Sequence, residues 1–297
     1  MIKVQIPATS ANIGSGFDSL GLALNLYNDV HLAEHDGILI ESLDQTRVPR
    51  TEKNLIYRTA KSLYELCGRP FPGLHIKQTN NIPMTRGLGS SSACIVGGLV
   101  GANELMGKPL CVSELVDIAA QLEGHPDNST PAILGGLVTS VFDGKKVHCV
   151  KQQIAEDLKF VTFIPDFELK TEVARQSLPK QIDHRDAVYN LSRAALMSVS
   201  LYSGSYENLR VAADDRLHQP YRLGLIPHAG KILDILYEAG AYAGYISGAG
   251  PTLMAIVDGS AQSFEADAKA AIEQEGILGW RIETRQIDNQ GTQVFVD

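Results

Sequence analysis

The sequence predicts an α+β protein made of two successive units, residues 1–152 and 153–297. Three observations carry that expectation. The chain of 297 residues is long enough for two cores. Strand-like and helix-like hydrophobic periods alternate along it. Near Lys151 the pattern restarts without a low-complexity linker, so the cleft between the units is expected to be a fixed active site.

In the first unit, Ile2 to Pro7 alternates as a strand. Asp29 to Ala33 and Ile38 to Glu41 read as the arms of a hairpin turning at His35-Asp36-Gly37. Asn54, as N-cap, opens an amphipathic helix running to Leu66, with Leu55, Tyr57, Leu63 and Leu66 expected to face inward. Leu74 to Gln78 is a short strand, followed by the loop Pro83-Met84-Thr85-Arg86-Gly87-Leu88-Gly89-Ser90-Ser91-Ser92-Ala93 and a helix over Cys94 to Met106. A second helix covers Val112 to Leu122 and stops at the breaker-rich turn Gly124-His125-Pro126-Asp127-Asn128. Ile133 to Phe142 is expected as a strand interrupted by Gly135-Gly136.

The second unit opens on a strand over Phe160 to Ile164 and continues with helices over Asp186 to Ser203 and Ala229 to Ala239. Strands at Ala243 to Ser247 and Thr252 to Val257, a helix at Ala261 to Gln274 and a strand at Trp280 to Arg285 complete it. That split strand–helix–strand order suggests a ferredoxin-like arrangement.

A net charge of −8 with no basic cluster argues against a nucleic-acid partner or a polybasic membrane contact. No apolar run reaches membrane-spanning length, and the N-terminus reads as a strand rather than a signal peptide. The four cysteines have no C-x-x-C spacing, which disfavours a metal or disulfide framework. A cytoplasmic protein with reduced thiols is expected.

Chemistry concentrates in the loop Pro83 to Ala93. Glycines there let backbone amides approach an anion, and the helix that follows adds its unpaired amides and dipole. The spacing is not that of a Walker A loop, and Gly14-Ser15-Gly16 is not a dinucleotide fingerprint. By itself the loop also fits a plain, well-capped connection. Three more segments have unusual composition. Pro7 to Asp18 is a small-residue stretch whose Asn12 and Asp18 can bind a polar substrate or simply hold a turn. Glu123 to Asn128 offers a carboxylate for a divalent metal and polar groups to orient an acceptor. Ser247-Gly248-Ala249-Gly250-Pro251-Thr252 is a hairpin turn or the far wall of a cleft. Arg175, a helical turn from Thr171, and Arg222 are candidate clamps for a carboxylate or phosphate.

In this order, P-A-T-S-A-N-I-G-x-G-F-D, P-x-x-x-G-L-G-S-S and S-G-A-G-P-T resemble the three motifs of the GHMP kinases, and within them those of the homoserine kinases. The resemblance spans nearly the whole chain. It implies a GHMP kinase fold, with an N-terminal domain like ribosomal protein S5 and a C-terminal ferredoxin-like domain. It also implies ATP-dependent phosphorylation of the L-homoserine hydroxyl, with Mg2+, by a homodimer. By that resemblance Pro83, Met84, Thr85, Arg86, Gly87, Leu88, Gly89, Ser90, Ser91, Ser92 and Ala93 bind ATP, and Asn54 lies near the adenine. Glu123 and Ser91 take the metal, while Asn12, Asp18, Asp127, Asn128, Arg175 and Arg222 hold homoserine. Thr171 sits near the transferred phosphoryl group and completes the catalytic set of Glu123, Ser91, Asp127 and Asn128. No dedicated base is expected.

Other readings stay open at this point. A GHMP kinase of another alcohol, such as mevalonate or shikimate, would share the motifs. A serine hydrolase is suggested by Gly89-Ser90-Ser91-Ser92-Ala93, one residue from G-x-S-x-G. A protein that senses ATP without turnover is the third.

Overall fold

The computed structural model describes residues 1–154 and 157–296. A mixed sheet forms from β1 (Ile2–Ala11), β2 (Leu20–Glu34), β3 (Gly37–Ser42), β4 (Gly73–Thr79), β5 (Leu137–Phe142) and β6 (Val147–Gln152). Helices α1 (Leu55–Leu66), α2 (Ser90–Leu105), α3 (Val112–Glu123) and α4 (Ser129–Leu134) belong to the same half. The second half holds β7 (Leu158–Pro165), α5 (Thr171–Gln176), α6 (His184–Ser203), α7 (Leu209–Ala212), α8 (Gln219–Leu223), α9 (Ala229–Glu238), β8 (Ala243–Ile246), β9 (Leu253–Asp258), α10 (Phe264–Gln274) and β10 (Trp280–Arg285). The final strand β11 (Gln293–Val296) returns to the first sheet and pairs with β1.

Strand β1 runs four residues beyond the expected end at Pro7. Ala8, Thr9, Ser10 and Ala11 are buried on both faces, so the alternation that marks a half-exposed strand is absent there. The expected hairpin between Asp29–Ala33 and Ile38–Glu41 does not form. Strand β4 lies between the two arms, antiparallel to β2 and parallel to β3. The burial patterns account for the order. β4 buries Leu74, Ile76 and Gln78 and suits an interior place, whereas β3 exposes Leu39 and suits an edge. Likewise Ile133 and Leu134 end a short helix, and the strand begins only at Leu137. A Cβ at Gly135 would stand 2.4 Å from the Gly291 amide nitrogen, so the returning C-terminal segment requires the glycine turn.

The second sheet has the strand order β10-β7-β9-β8, all antiparallel. Numbered within the unit this is 4-1-3-2, the ferredoxin-like order expected from the sequence. Ile232 and Leu236 of α9, with Ala268 and Ile272 of α10, cover one face of it. The other face supplies Phe160, Tyr245, Met254 and Ile256 to the same cluster that holds Ile6, Leu22 and Val96 of the first half. The two halves therefore share one continuous core. No helix among the described residues is long and apolar enough to cross a membrane.

Helix α2 starts at Ser90, four residues before the expected Cys94. Its small residues serve close packing: a Cβ at Gly98 would lie 2.6 Å from the Ile56 carbonyl oxygen of α1. Above it the halves meet through loops. Ser247 Oγ donates to the Gly87 carbonyl at 2.7 Å, and the Gly248 amide donates to the Ala11 carbonyl at 3.0 Å. Gly87 has φ +73, and a Cβ there would stand 2.3 Å from the Ser247 carbonyl oxygen. Gly87→Ala combines left-handed strain with a backbone clash. It is expected to lower stability by about 2 kcal/mol or more, read as a fall in Tm against the parent protein.

Candidate active site

A cavity of about 450 Å3 opens where these loops converge. One end is built on the N-terminus of α2. Gly89 is its N-cap, in the left-handed region with φ 72, and offers no side chain to occupy the first amides. The early amides of any helix have no helical acceptor, so they are free for an anion. Ser90, Ser91 and Ser92 all line the cavity. The loop is fixed from below by Thr9, whose amide donates to the Leu88 carbonyl at 3.2 Å. The Thr9 hydroxyl donates to Asn128 Oδ1 at 2.9 Å, and a Cβ on Gly89 would lie 2.0 Å from that hydroxyl.

Glu123, the last residue of α3, reaches the same end. Ser92 Oγ donates to Glu123 Oε1, so Ser92 rather than Ser91 is the serine that touches this carboxylate. Oε2 is closed off from solvent, and the Ser129 hydroxyl stands close enough to pull on the carboxyl. Burial pushes the carboxyl upward, against the opposing pull of His125 and Ser92. A buried carboxylate is costly unless a cation or donors complete it.

The opposite end is built from opposite charges. Asp127 is buried and accepts from His125 Nδ1 at 2.6 Å. Burial by itself would lower the His125 pKa, but the hydrogen bond and charge of Asp127 outweigh it and the net shift is upward. Arg175 forms a two-pronged pair with Asp18, at 2.7 and 3.2 Å. One oxygen or nitrogen each of Asp18, His125 and Asp127 lies within 4.8 Å of the others. Asn12 orients this corner: its Oδ1 accepts the Asp18 amide at 3.0 Å and its Nδ2 donates to the Gly248 carbonyl at 2.8 Å. Arg222 is fully buried and its Nη1 donates to the same carbonyl at 2.8 Å. Burial, then the neighbouring Arg175 charge, bring its pKa down to about 10, which leaves it charged at neutral pH.

Of the residues singled out from the sequence, the structure brings Asn12, Asp18, Thr85, Arg86, Gly87, Gly89, Ser90, Ser91, Ser92, Glu123, Asp127, Asn128, Thr171, Arg175 and Arg222 to one cavity. Asn54 is not among its lining residues. It is buried as the N-cap of α1, accepting from the Ile56 and Tyr57 amides and donating to Pro49 and Gln78. Leu88 and Ala93 are core residues, and Met84 is exposed. Pro83 also lies off the cavity wall.

Sequence reasoning missed Arg58, Lys170 and the apolar trio Leu55, Ile95 and Leu122, which line the cavity. Each of the three reads in sequence as one more residue of an amphipathic helix. Among the described residues no histidine bonds Ser90, Ser91 or Ser92, so a hydrolase at this loop would have no base.

Two family models match the chain. That of the GHMP kinases N terminal domain covers residues 54–136, and that of the GHMP kinases C terminal covers residues 197–281. The chain is 46% identical over 298 residues to the homoserine kinase of Caldicellulosiruptor bescii, covering 99% of this chain and 97% of that protein. It is 47% identical over 297 residues to the homoserine kinase of Clostridium beijerinckii, covering 99% of each. Its structure is similar to the crystal structure of homoserine kinase from Cytophaga hutchinsonii, with a TM-score of 0.88 at 30% identity over 99% of this chain and 97% of that one.

The raised His125 pKa sets a pH dependence. The stability gained from its pairing with Asp127 is fully present below the unfolded value near 6.5 and is lost as pH rises through the higher folded value. His125→Asn is therefore expected to destabilise the protein more at pH 6 than at pH 9. Thermal melts of both proteins across that range check the sign.

Proposed function

We infer the function from family membership: this chain belongs to the GHMP kinases, and within them to the homoserine kinases. It is an ATP-dependent kinase that phosphorylates the side-chain hydroxyl of L-homoserine, giving O-phospho-L-homoserine for threonine biosynthesis. The observation that carries the reading is the polarity of one cavity. A helix N-terminus with three serines stands at one end, and paired aspartates and arginines stand at the other.

The first amides of α2 and the hydroxyls of Ser90 and Ser91 hold the phosphates of ATP. Glu123 and Ser91 would hold Mg2+, with Ser92 fixing the carboxylate; the Glu123 carboxylate beside the three serines of the α2 terminus supports a cation at this place. The ion, when bound, neutralises phosphate charge. A zwitterionic amino acid suits the far end, its ammonium facing Asp127 and Asp18 and its carboxylate facing Arg175 and Arg222. Asn12 and Asn128 orient it, and Thr171, at the start of α5, lies beside the transferred phosphoryl group. Asp127 already accepts from His125, which leaves it poorly placed as a base. The reaction then rests on alignment and charge, and the hydroxyl proton leaves with phosphate or water. A homodimer is part of this proposal, supported by exposed Leu191, Val199 and Tyr202 on α6. So is a cytoplasmic location.

A coupled ADP-release assay over homoserine, mevalonate, galactose and shikimate tests the substrate. Homoserine is expected to lead in kcat/KM by about a thousandfold or more, since the cavity's charges go unpaired with the others. A lead for mevalonate or galactose would overturn the reading. Asp127→Asn should raise the homoserine KM by about tenfold or more with kcat little changed. A collapse of kcat at unchanged KM would refute the role given to Asp127. Glu123→Gln should lose activity that high Mg2+ partly restores; full activity at low Mg2+ would remove Glu123 from the metal.

A further inference from the structure

His218 lies one helical turn before Arg222, at the N-cap of α8, and is fully buried. Its Nδ1 stands 3.1 Å from Arg222 Nη1, and its Nε2 stands 2.7 Å from the Gly14 carbonyl oxygen. A guanidinium only donates, so Nδ1 must accept and carries no proton. Nε2 then holds the proton and donates to Gly14. The two contacts fix one neutral tautomer. Burial lowers the His218 pKa, with Asp215 pulling the other way and Arg222 adding to the fall. Asp215 is already committed, accepting the amides of Leu217, His218 and Gln219.

This arrangement decides which part of Arg222 is free. Nη1 carries two protons: one goes to the Gly248 carbonyl at 2.8 Å, the other to His218. Nε is buried and has no hydrogen-bond partner. The Nε and Nη2 edge is thus left as a side-on fork, the shape that takes a carboxylate through two parallel bonds. Phe17 backs the assembly. Its ring stacks on His218 at 5.1 Å between centroids, with 22° between planes, and the Arg222 guanidinium lies 5.2 Å from its centre.

We propose that His218 is a positioning residue for substrate recognition: it takes the second proton of Arg222 Nη1 and so aims the Nε–Nη2 fork at the carboxylate of the amino-acid substrate. The Gly14 contact on Nε2 holds the ring in the tautomer that this requires. The proposal rests on the assignment of the substrate carboxylate to Arg222.

The test compares homoserine with 3-amino-1-propanol, which keeps the amine and hydroxyl and lacks the carboxylate. Steady-state constants (or Ki for the analogue if its turnover is too slow) are measured for His218→Leu, His218→Asn and Arg222→Gln. In His218→Leu the homoserine KM should rise about tenfold or more, the size expected for a lost hydrogen bond to a charged group. Homoserine kcat, the ATP KM and the analogue's constants should stay unchanged. His218→Asn, whose Oδ1 can stand in for Nδ1, should recover most of the loss. If His218→Leu does not fold, His218→Gln replaces it: it keeps only the Gly14 contact and should be weaker than His218→Asn. Equal losses for homoserine and the analogue, a loss confined to kcat, or a glutamine variant better than the asparagine one would each overturn the proposal. Arg222→Gln separates the two levels. If it leaves discrimination between the two compounds intact, the carboxylate assignment itself fails. If it abolishes discrimination while His218→Leu preserves it, only the role of His218 fails.

Discussion

The close approach of three loop backbones at Gly87 and Gly248 is the constraint on which the cavity depends. Ser247 Oγ bridges Ser10 and the Gly87 carbonyl, and the Gly248 amide bonds Ala11. The Gly248 carbonyl then accepts from both Asn12 and Arg222. One peptide of the C-terminal half therefore positions a polar residue from each half. A Cβ at Gly87 would wedge this contact apart, and at Gly89 it would collide with Thr9. The continuous core beneath joins the halves through Phe160, Tyr245, Met254 and Ile256. Little reorganisation is then needed when charge moves, which is where preorganised sites gain most.

The charges inside are balanced by position rather than by number. In an acidic chain, Arg175 and Arg222 stand against Asp18 and Asp127 at the end away from α2. The α2 terminus offers its amides and dipole, and Arg58, Arg86 and Lys170 add side-chain charge to the cavity wall. Glu123 is the exception, a carboxyl closed in by Ser92 and Ser129 and pushed upward by burial.

The glycine loops were legible in the sequence because the left-handed region favours glycine, and Gly87 and Gly89 stand there with φ 73 and 72. The ferredoxin-like half was legible because its strands and helices keep their own periods. Ala8 to Ala11 hid as a strand because burial on both faces erases alternation. The place of β4 between β2 and β3 depends on which strand buries its inward residues fully, Leu74, Ile76 and Gln78 of β4 against the exposed Leu39 of β3, which no local hairpin signal reports. Among site residues, Arg175 stood out as a guanidinium one helical turn from Thr171, and with Arg222 as a cation in an acidic chain. Leu55, Ile95 and Leu122 could not, since a cavity wall and a core look alike in a helical pattern. His218 was unreadable for another reason: its partner Gly14 is 204 residues away, and its meaning lies in a tautomer.

The destination of the ATP phosphoryl group distinguishes a kinase for homoserine from every other activity of this cavity. 31P NMR of a reaction holding the protein, MgATP and L-homoserine reads this directly. A phosphomonoester signal coupled to the side-chain methylene protons, growing in step with ADP, is the result expected. Release of inorganic phosphate with homoserine unchanged, or no loss of ATP at all, would contradict it.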